Sequence, residues 1–171
     1  EHYVGESNFQ KGLKLYLAAF KYKNAEGKDL WDAIGKISKM PVRAMVQTWL
    51  KQPGFPVVEI EKHDSTLHLK QRRYVLESDK KSNKGLWSIP LSVGLQDEFF
   101  QKLFTKKSMS VKLPKDNLGF VANFGRKGFY RVKYDDGALI DLKMLIDQKQ
   151  IPAIDRWAIQ NDLFSLCISG D

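Results

Sequence analysis

The stretch MVQTWLKQPGFPVVEI, Met45 to Ile60, changes its apolar period part-way along. Val42, Met45, Val46 and Trp49 recur at helical spacing and form one apolar stripe, for which Pro41 suits the first helical position. Pro53 and Gly54 then stop the helix and supply a turn. From Phe55 the period is two, and the residues are the Val, Ile and aromatic types that suit a pleated strand. Helix therefore gives way to sheet within this stretch. Trp49 and Phe55, with Trp87 further on, are large apolar side chains expected to anchor the junction and the sheet core, each stabilising by about 2 to 3 kcal/mol on burial.

Upstream, two more helical patterns precede the change. Phe9, Leu13, Tyr16, Leu17 and Phe20 share one helical face behind Ser7 as N-cap, and Leu30, Ile34 and Ile37 repeat the spacing. Downstream, short alternating runs lie between Gly, Asn, Asp and Lys clusters. They predict strands at Pro56 to Glu61, Thr66 to Tyr74, Leu86 to Val93, Glu98 to Phe104, Ser108 to Leu113, Phe120 to Phe124 and Phe129 to Tyr134. Seven such runs imply an antiparallel β-sandwich, because a single sheet leaves one apolar face uncovered. Pro90 within a run implies an edge strand or a bulge. Gly128 ahead of Phe129 predicts a tight hairpin, and Asp135, Asp136 and Gly137 end the last strand. Helical spacing then returns through Leu139, Leu142 and Ile146, and again through Ile159, Leu163, Leu166 and Cys167. The expected class is mixed α and β, divided into a helical segment 1–52, a sandwich 53–135 and a helical segment 136–171.

Composition narrows the class. A chain of 171 residues with 43% hydrophobic and 12% aromatic content can bury a core, which argues against disorder. The single cysteine cannot close an intramolecular disulfide, and no apolar run approaches the roughly 20 residues of a membrane span. Charge is uneven: residues 53–135 carry 16 basic and 9 acidic groups, whereas residues 136–171 carry 3 and 6. A basic middle attracts nucleic acid or an acidic surface, although a lysine-rich solvated face accounts for the same numbers.

Few residues carry chemistry. His63 and His68 are the histidines nearest in sequence, but their spacing across a strand and turn is not that of a helical ligand pair. Gly125-Arg126-Lys127-Gly128 has the spacing of an RNA-binding GxxG loop, yet it sits between strands where that loop joins helices. Lys70, Arg72, Arg73 and Tyr74 make a short basic-aromatic run of the kind that binds single strands. Cys167 lies on an apolar helical face with no nearby histidine, which predicts a buried structural cysteine. No catalytic, cofactor-binding or metal-ligating residue is assigned.

Several strings, taken in order, resemble one family. FQKGLKLYL from Phe9, KNAEGKDLWDAI from Lys23, MVQTWLKQPGFPVVEI from Met45, LHLKQRRY from Leu67, LWSIPLS from Leu86, GFYRVKYD from Gly128 and DRWAIQNDLFSLCISG from Asp155 are similar to the part of four-domain gluzincin zinc aminopeptidases that follows the zinc site. That resemblance covers nearly the whole chain. It implies an internal fragment holding the end of a catalytic domain, a β-sandwich connector and the first helices of a C-terminal helical array. The parent would use a zinc-bound water to remove N-terminal residues from peptides. The family's H-E-x-x-H zinc motif, its substrate-reading G-x-M-E-N string and its catalytic tyrosine are absent here and would lie upstream of Glu1. The resemblance thus implies zinc and peptide substrates for the parent, no zinc held by this piece, and neighbouring domains as partners; no specific nucleic acid, no membrane and a cytoplasmic place are further expectations. Exposed helical ends would make the isolated piece self-associate. The alternative is a basic β-sandwich binding module for nucleic acid or a protein partner.

Overall fold

The structure, a computed structural model, describes residues 1–76, 85–95, 98–113 and 119–170. These fall into two compact units that meet in sequence at Gln52 and Pro53.

The first unit holds three helices, α1 (Glu6–Ala19), α2 (Gly27–Ser38) and α3 (Val42–Leu50). Gly5, at a φ of 82°, takes the N-cap of α1, so Ser7 lies inside the first turn and is not the cap. The chain enters this helix through a backbone conformation that glycine adopts at little cost. A reciprocal capping box starts α2: the amide of Glu26 donates to Asp29 Oδ2 at 2.8 Å, and the Glu26 side chain accepts in return. Pro41 sits at the N-cap of α3, one place before its expected position. A missing N–H costs little at either place. Val4, Ile34 and Val42 form the buried core, with Phe9, Leu30, Trp31 and Val46 packed against it. Helices α1 and α2 approach closely at Gly12, where an added Cβ would stand 2.7 Å from Ile34 Cα. Leu17, expected on the covered face, is 59% exposed.

The second unit carries seven strands among its described residues: β1 (Pro56–His63), β2 (Thr66–Arg73), β3 (Ile89–Leu95), β4 (Glu98–Phe104), β5 (Ser108–Lys112), β6 (Val121–Ala122) and β7 (Arg131–Tyr134). Helices α4 (Asp136–Asp147) and α5 (Ala153–Ile168) complete it. One sheet has the order β5-β2-β1-β7 and the other β4-β3-β6. Pairing is antiparallel except between β1 and β7, which run parallel from Val57 opposite Arg131 to Ile60 opposite Tyr134. The expectation of a wholly antiparallel arrangement is corrected there. Hairpins force neighbouring strands to be antiparallel, but the other sheet lies in sequence between β1 and β7, so no hairpin dictates their direction.

Alternation is clear in β2, where Leu67, Leu69 and Gln71 are buried and His68 and Lys70 are exposed. Gln71 keeps its buried position by acting as a short piece of backbone. Its amide nitrogen donates to the carbonyls of Trp87 and Lys106 at 3.0 and 2.8 Å, and its oxygen accepts from Trp87 N at 2.9 Å. Residues 86–88 were expected in a strand; they approach β3 as irregular chain held in this way, and Trp87 is fully buried.

Pro90 lies on the central strand of its sheet, contrary to an edge placement. Yet among the described residues β6 reaches β3 only at Val93 and Gly94, so at Pro90 the strand has β4 as its one described pairing neighbour. Locally that is the edge a proline requires. The predicted hairpin at Gly128 is also corrected, because β6 and β7 belong to different sheets. A short 3-10 turn, Phe124–Arg126, begins that crossing, and Asn123 precedes it at a φ of 57°. Gly128 is needed for space: an added Cβ would come within 2.2 Å of the Tyr130 ring.

Tyrosine hydroxyls tie the strands of one sheet to the other. Tyr134 on β7 accepts from Ala122 N on β6 at 2.9 Å, and Tyr130 just before β7 accepts from Ser92 N on β3 at 3.3 Å. Helix α4 is capped by Asp135, which accepts from Ala138 N at 2.7 Å through one oxygen and from Lys62 N at 2.8 Å through the other. A single carboxylate thus starts the helix and fastens it to β1.

Candidate functional site

A buried polar cluster lies where α5 meets β7 and the 3-10 turn. Asp162 is 3% exposed. Its Oδ2 accepts from Arg126 Nη1 at 2.7 Å and Val132 N at 3.0 Å, and its Oδ1 from Arg131 Nη1 at 2.9 Å. Two cations and a backbone amide on one buried carboxylate offset the cost of its desolvation. Two turns earlier on the same helix, Asp155 is 1% exposed. One of its oxygens accepts from Gly125 N at 2.7 Å, and the other has no hydrogen-bond partner among the described residues. Burial pushes the Asp155 carboxyl above its ordinary value, against the Gly125 hydrogen bond and the charge of Lys127, which hold it down.

The neighbouring phenols are shifted for the same reason. Burial raises Tyr130 to about 12 and raises Tyr134 further, against the hydrogen bonds that each accepts from backbone. Both are neutral donors and acceptors at physiological pH, not bases. The arrangement is a joint. Its Asp162 oxygens are taken by donors, and among the described residues no nucleophile stands beside a base in it.

The other residues singled out from sequence divide as follows. His63 and His68 do meet across the β1–β2 hairpin, edge to face with ring centroids 5.2 Å apart. His68 Nδ1 lies 3.1 Å from Ser110 Oγ, and Glu61 lies 3.9 Å from His63 Nε2. Among the described residues no group of three or more His, Cys, Asp or Glu is placed to hold a metal ion. Two exposed imidazoles on a hairpin, one already engaged by a serine, do not fit the three-ligand set of a peptidase zinc.

The basic-aromatic run is mostly spent inside the fold. Arg72 donates to Glu59 at 2.6 Å, Tyr74 stacks on Phe55 at 4.9 Å and donates to Ser165 O at 2.9 Å, and Lys70 is exposed. Trp87 is the buried anchor expected of it, whereas Trp49 and Phe55 are half-buried.

Cys167 is exposed, which corrects the buried cysteine read from the sequence. Helix α5 is turned from its expected orientation: Ile159 and Leu166 are buried, Leu163 is 38% exposed, and Asp155, Asp162 and Ser165 lie inward. The partners of those polar residues are on β7, the 3-10 turn and Tyr74. Sequence reasoning missed Asp155 and Asp162. Two acids seven places apart, in helical phase with Ile159 and Leu166, are the signal that finds them.

Comparison with known proteins agrees with the strings from Phe9 to Gly170. The family described as "Peptidase family M1 domain" matches residues 1–49. "Probable aminopeptidase 2" of Sulfurisphaera tokodaii is 32% identical over 170 residues, covering 99% of this chain and 21% of that protein. The chain belongs to the M1 aminopeptidase family. Among other M1-type relatives, the "Tricorn protease-interacting factor F2" of Thermoplasma acidophilum is 35% identical over 171 residues, covering 99% of the chain and 20% of that protein. The "Puromycin-sensitive aminopeptidase" of Caenorhabditis elegans is 31% identical over 179 residues, covering 99% and 19%. The chain thus spans about one fifth of the length of the M1 relatives it matches.

Proposed function

We propose that this chain is the connecting part of a zinc-dependent aminopeptidase that removes N-terminal residues from peptides. Residues 1–52 are the helical end of the catalytic domain, residues 53–135 a β-sandwich spacer, and residues 136–171 the start of a C-terminal helical domain. The observation that carries the reading is a coincidence of boundaries. The peptidase-domain match stops at residue 49, and the first compact unit stops at Gln52. Similarity to the aminopeptidases nevertheless continues over 99% of the chain, so the second unit is a shared accessory to the peptidase domain.

The sandwich arrangement is supported by the tyrosine bonds between the sheets and by fully buried side chains from both, such as Leu67 and Leu69 on one and Ile89 and Leu91 on the other. Peptides are the substrate class and zinc the cofactor of the whole enzyme, held by residues other than those described. No described helix is long and apolar enough to cross a membrane. A cytoplasmic place for the whole protein belongs to the same proposal. The joint of Asp155 and Asp162 is the support role made concrete: it fixes the first long helix of the C-terminal part onto the sheets.

Dialysed 171-residue chain is expected to hold no stoichiometric zinc by elemental analysis and to leave aminoacyl reporter substrates intact. Zinc at one equivalent, or hydrolysis that a chelator abolishes, would overturn the connector reading. The exposed stripe of Ile154, Trp157, Phe164 and Ile168 on α5 is expected to make the isolated chain self-associate, and light scattering across a concentration series reads this directly.

A further inference from the structure

The strands β4 and β5 follow each other in sequence, yet among the described residues each is the outer strand of a different sheet and they do not pair. A groove of about 400 Å³ is lined by residues of both strands and of their connection, among them Lys102, Leu103, Lys106, Ser108, Met109 and Ser110. An outer strand presents a row of backbone amides and carbonyls to whatever extended chain reaches it. Segment 99–112 carries Lys102, Lys106, Lys107 and Lys112, all exposed, and no acidic residue.

This charge decides between occupants. A second copy of the chain would set these lysines against an identical set, and like charges facing one another across strands oppose pairing. An extended segment with acids at alternate positions reverses the sign. Its backbone completes the row on β5, whose exposed side chains include the small Ser108 and Ser110, its acids meet the lysines, and its remaining side chains lie over the half-buried Leu103 and Met109.

We propose that the β5 edge, with its lysine rim, docks an extended acidic segment of a partner protein as an added strand. This goes beyond the connector role. It gives the basic middle of the sequence a use that connection alone does not require.

The test uses the full chain and a fluorescein-labelled peptide of alternating glutamate and valine. Fluorescence anisotropy is expected to show binding that weakens with salt. Changing Lys102→Gln, Lys106→Gln and Lys107→Gln together is expected to weaken it about tenfold. A Lys143→Gln control on α4 is expected to leave it unchanged, and circular dichroism checks that each variant is folded. Amide exchange along β5 is expected to slow when the peptide binds. A peptide of the same charge but N-methylated at alternate residues cannot complete a strand, and equal binding by it would overturn the proposal in favour of a diffuse cationic surface. Displacement of the peptide by an equal concentration of single-stranded oligothymidine would overturn it in favour of nucleic acid. Unchanged affinity in the folded triple-lysine variant would overturn it as well.

Discussion

The helical unit Glu1–Gln52 and the sheet unit beginning at Pro53 draw their cohesion from different sources. In the helical unit the buried apolar side chains are Val4, Ile34 and Val42, and the rest of the packing is half-exposed. Its tightest feature is backbone proximity at Gly12. The sheet unit buries Trp87, Phe104, Phe120 and a set of leucines, isoleucines and valines, and it adds buried polar ties at Gln71, Asn123, Asp155 and Asp162. A fold with few buried apolar residues has little stability to lose, because the entropy of ordering the chain is only just offset. A fold with a full core tolerates the desolvation of carboxylates and amides and gains a single defined arrangement from their geometry. The first unit is thus more easily opened than the second.

The sharpest test of this contrast is Trp87→Ala. Trp87 is fully buried, so its removal is expected to cost about 3 to 5 kcal/mol in urea unfolding followed by circular dichroism. Hydrogen exchange should locate the loss in the strands and leave α1–α3 as they were. Equal acceleration in α1–α3 would erase the distinction between the units.

Next in size is Asp162→Ala, which leaves Arg126 and Arg131 largely buried without a counter-charge. A loss of about 3 kcal/mol is expected, with α5 exchanging faster than the central strands. If β1 and β2 respond as strongly as α5, the carboxylate supports the whole core and not the helix joint.

Gly12→Ala probes the other unit. The new methyl would press on the Ile34 backbone, and overpacking outweighs the gain in helix propensity, for an expected loss of about 1 to 2 kcal/mol confined to α1 and α2. An unchanged melting curve for those helices would mean that they part easily, and the contrast would then be larger than drawn.

The smallest effect belongs to Asp155→Asn. Its carboxyl is raised in the folded protein, so the native state holds a proton more firmly than the unfolded chain. The stability this contributes is present below the ordinary carboxylate value near 3.8 and is lost as pH rises through the raised one. The asparagine variant is expected to remove that part of the pH dependence, gaining on the wild type at neutral pH and falling level with it in acid. A wild-type stability that rises across the same window by the amount the variant lacks would reverse the sign.

Most of the elements are legible in the residues alone. The strand Glu98–Phe104 matches its predicted limits, β1, β2 and β5 match within two residues, and the helical spacings locate all five described helices. Periodicity is local: a strand or a helix is written into the residues that form it. So is the family, because the strings from Phe9 to Gly170 are read in order without reference to space.

Tertiary structure decided what depends on distant partners. The parallel pairing of β1 with β7 joins residues far apart in the chain, and no local pattern records its direction. The orientation of α5 was misread because apolar spacing favoured Leu163 and Cys167, while Asp155 and Asp162 lie inward. A buried carboxylate is costly until its donors are known, and those donors are Gly125, Arg126, Arg131 and Val132, some thirty residues earlier in the chain. Apolar burial follows from a residue's own chemistry, but polar burial follows only from the company the fold brings to it.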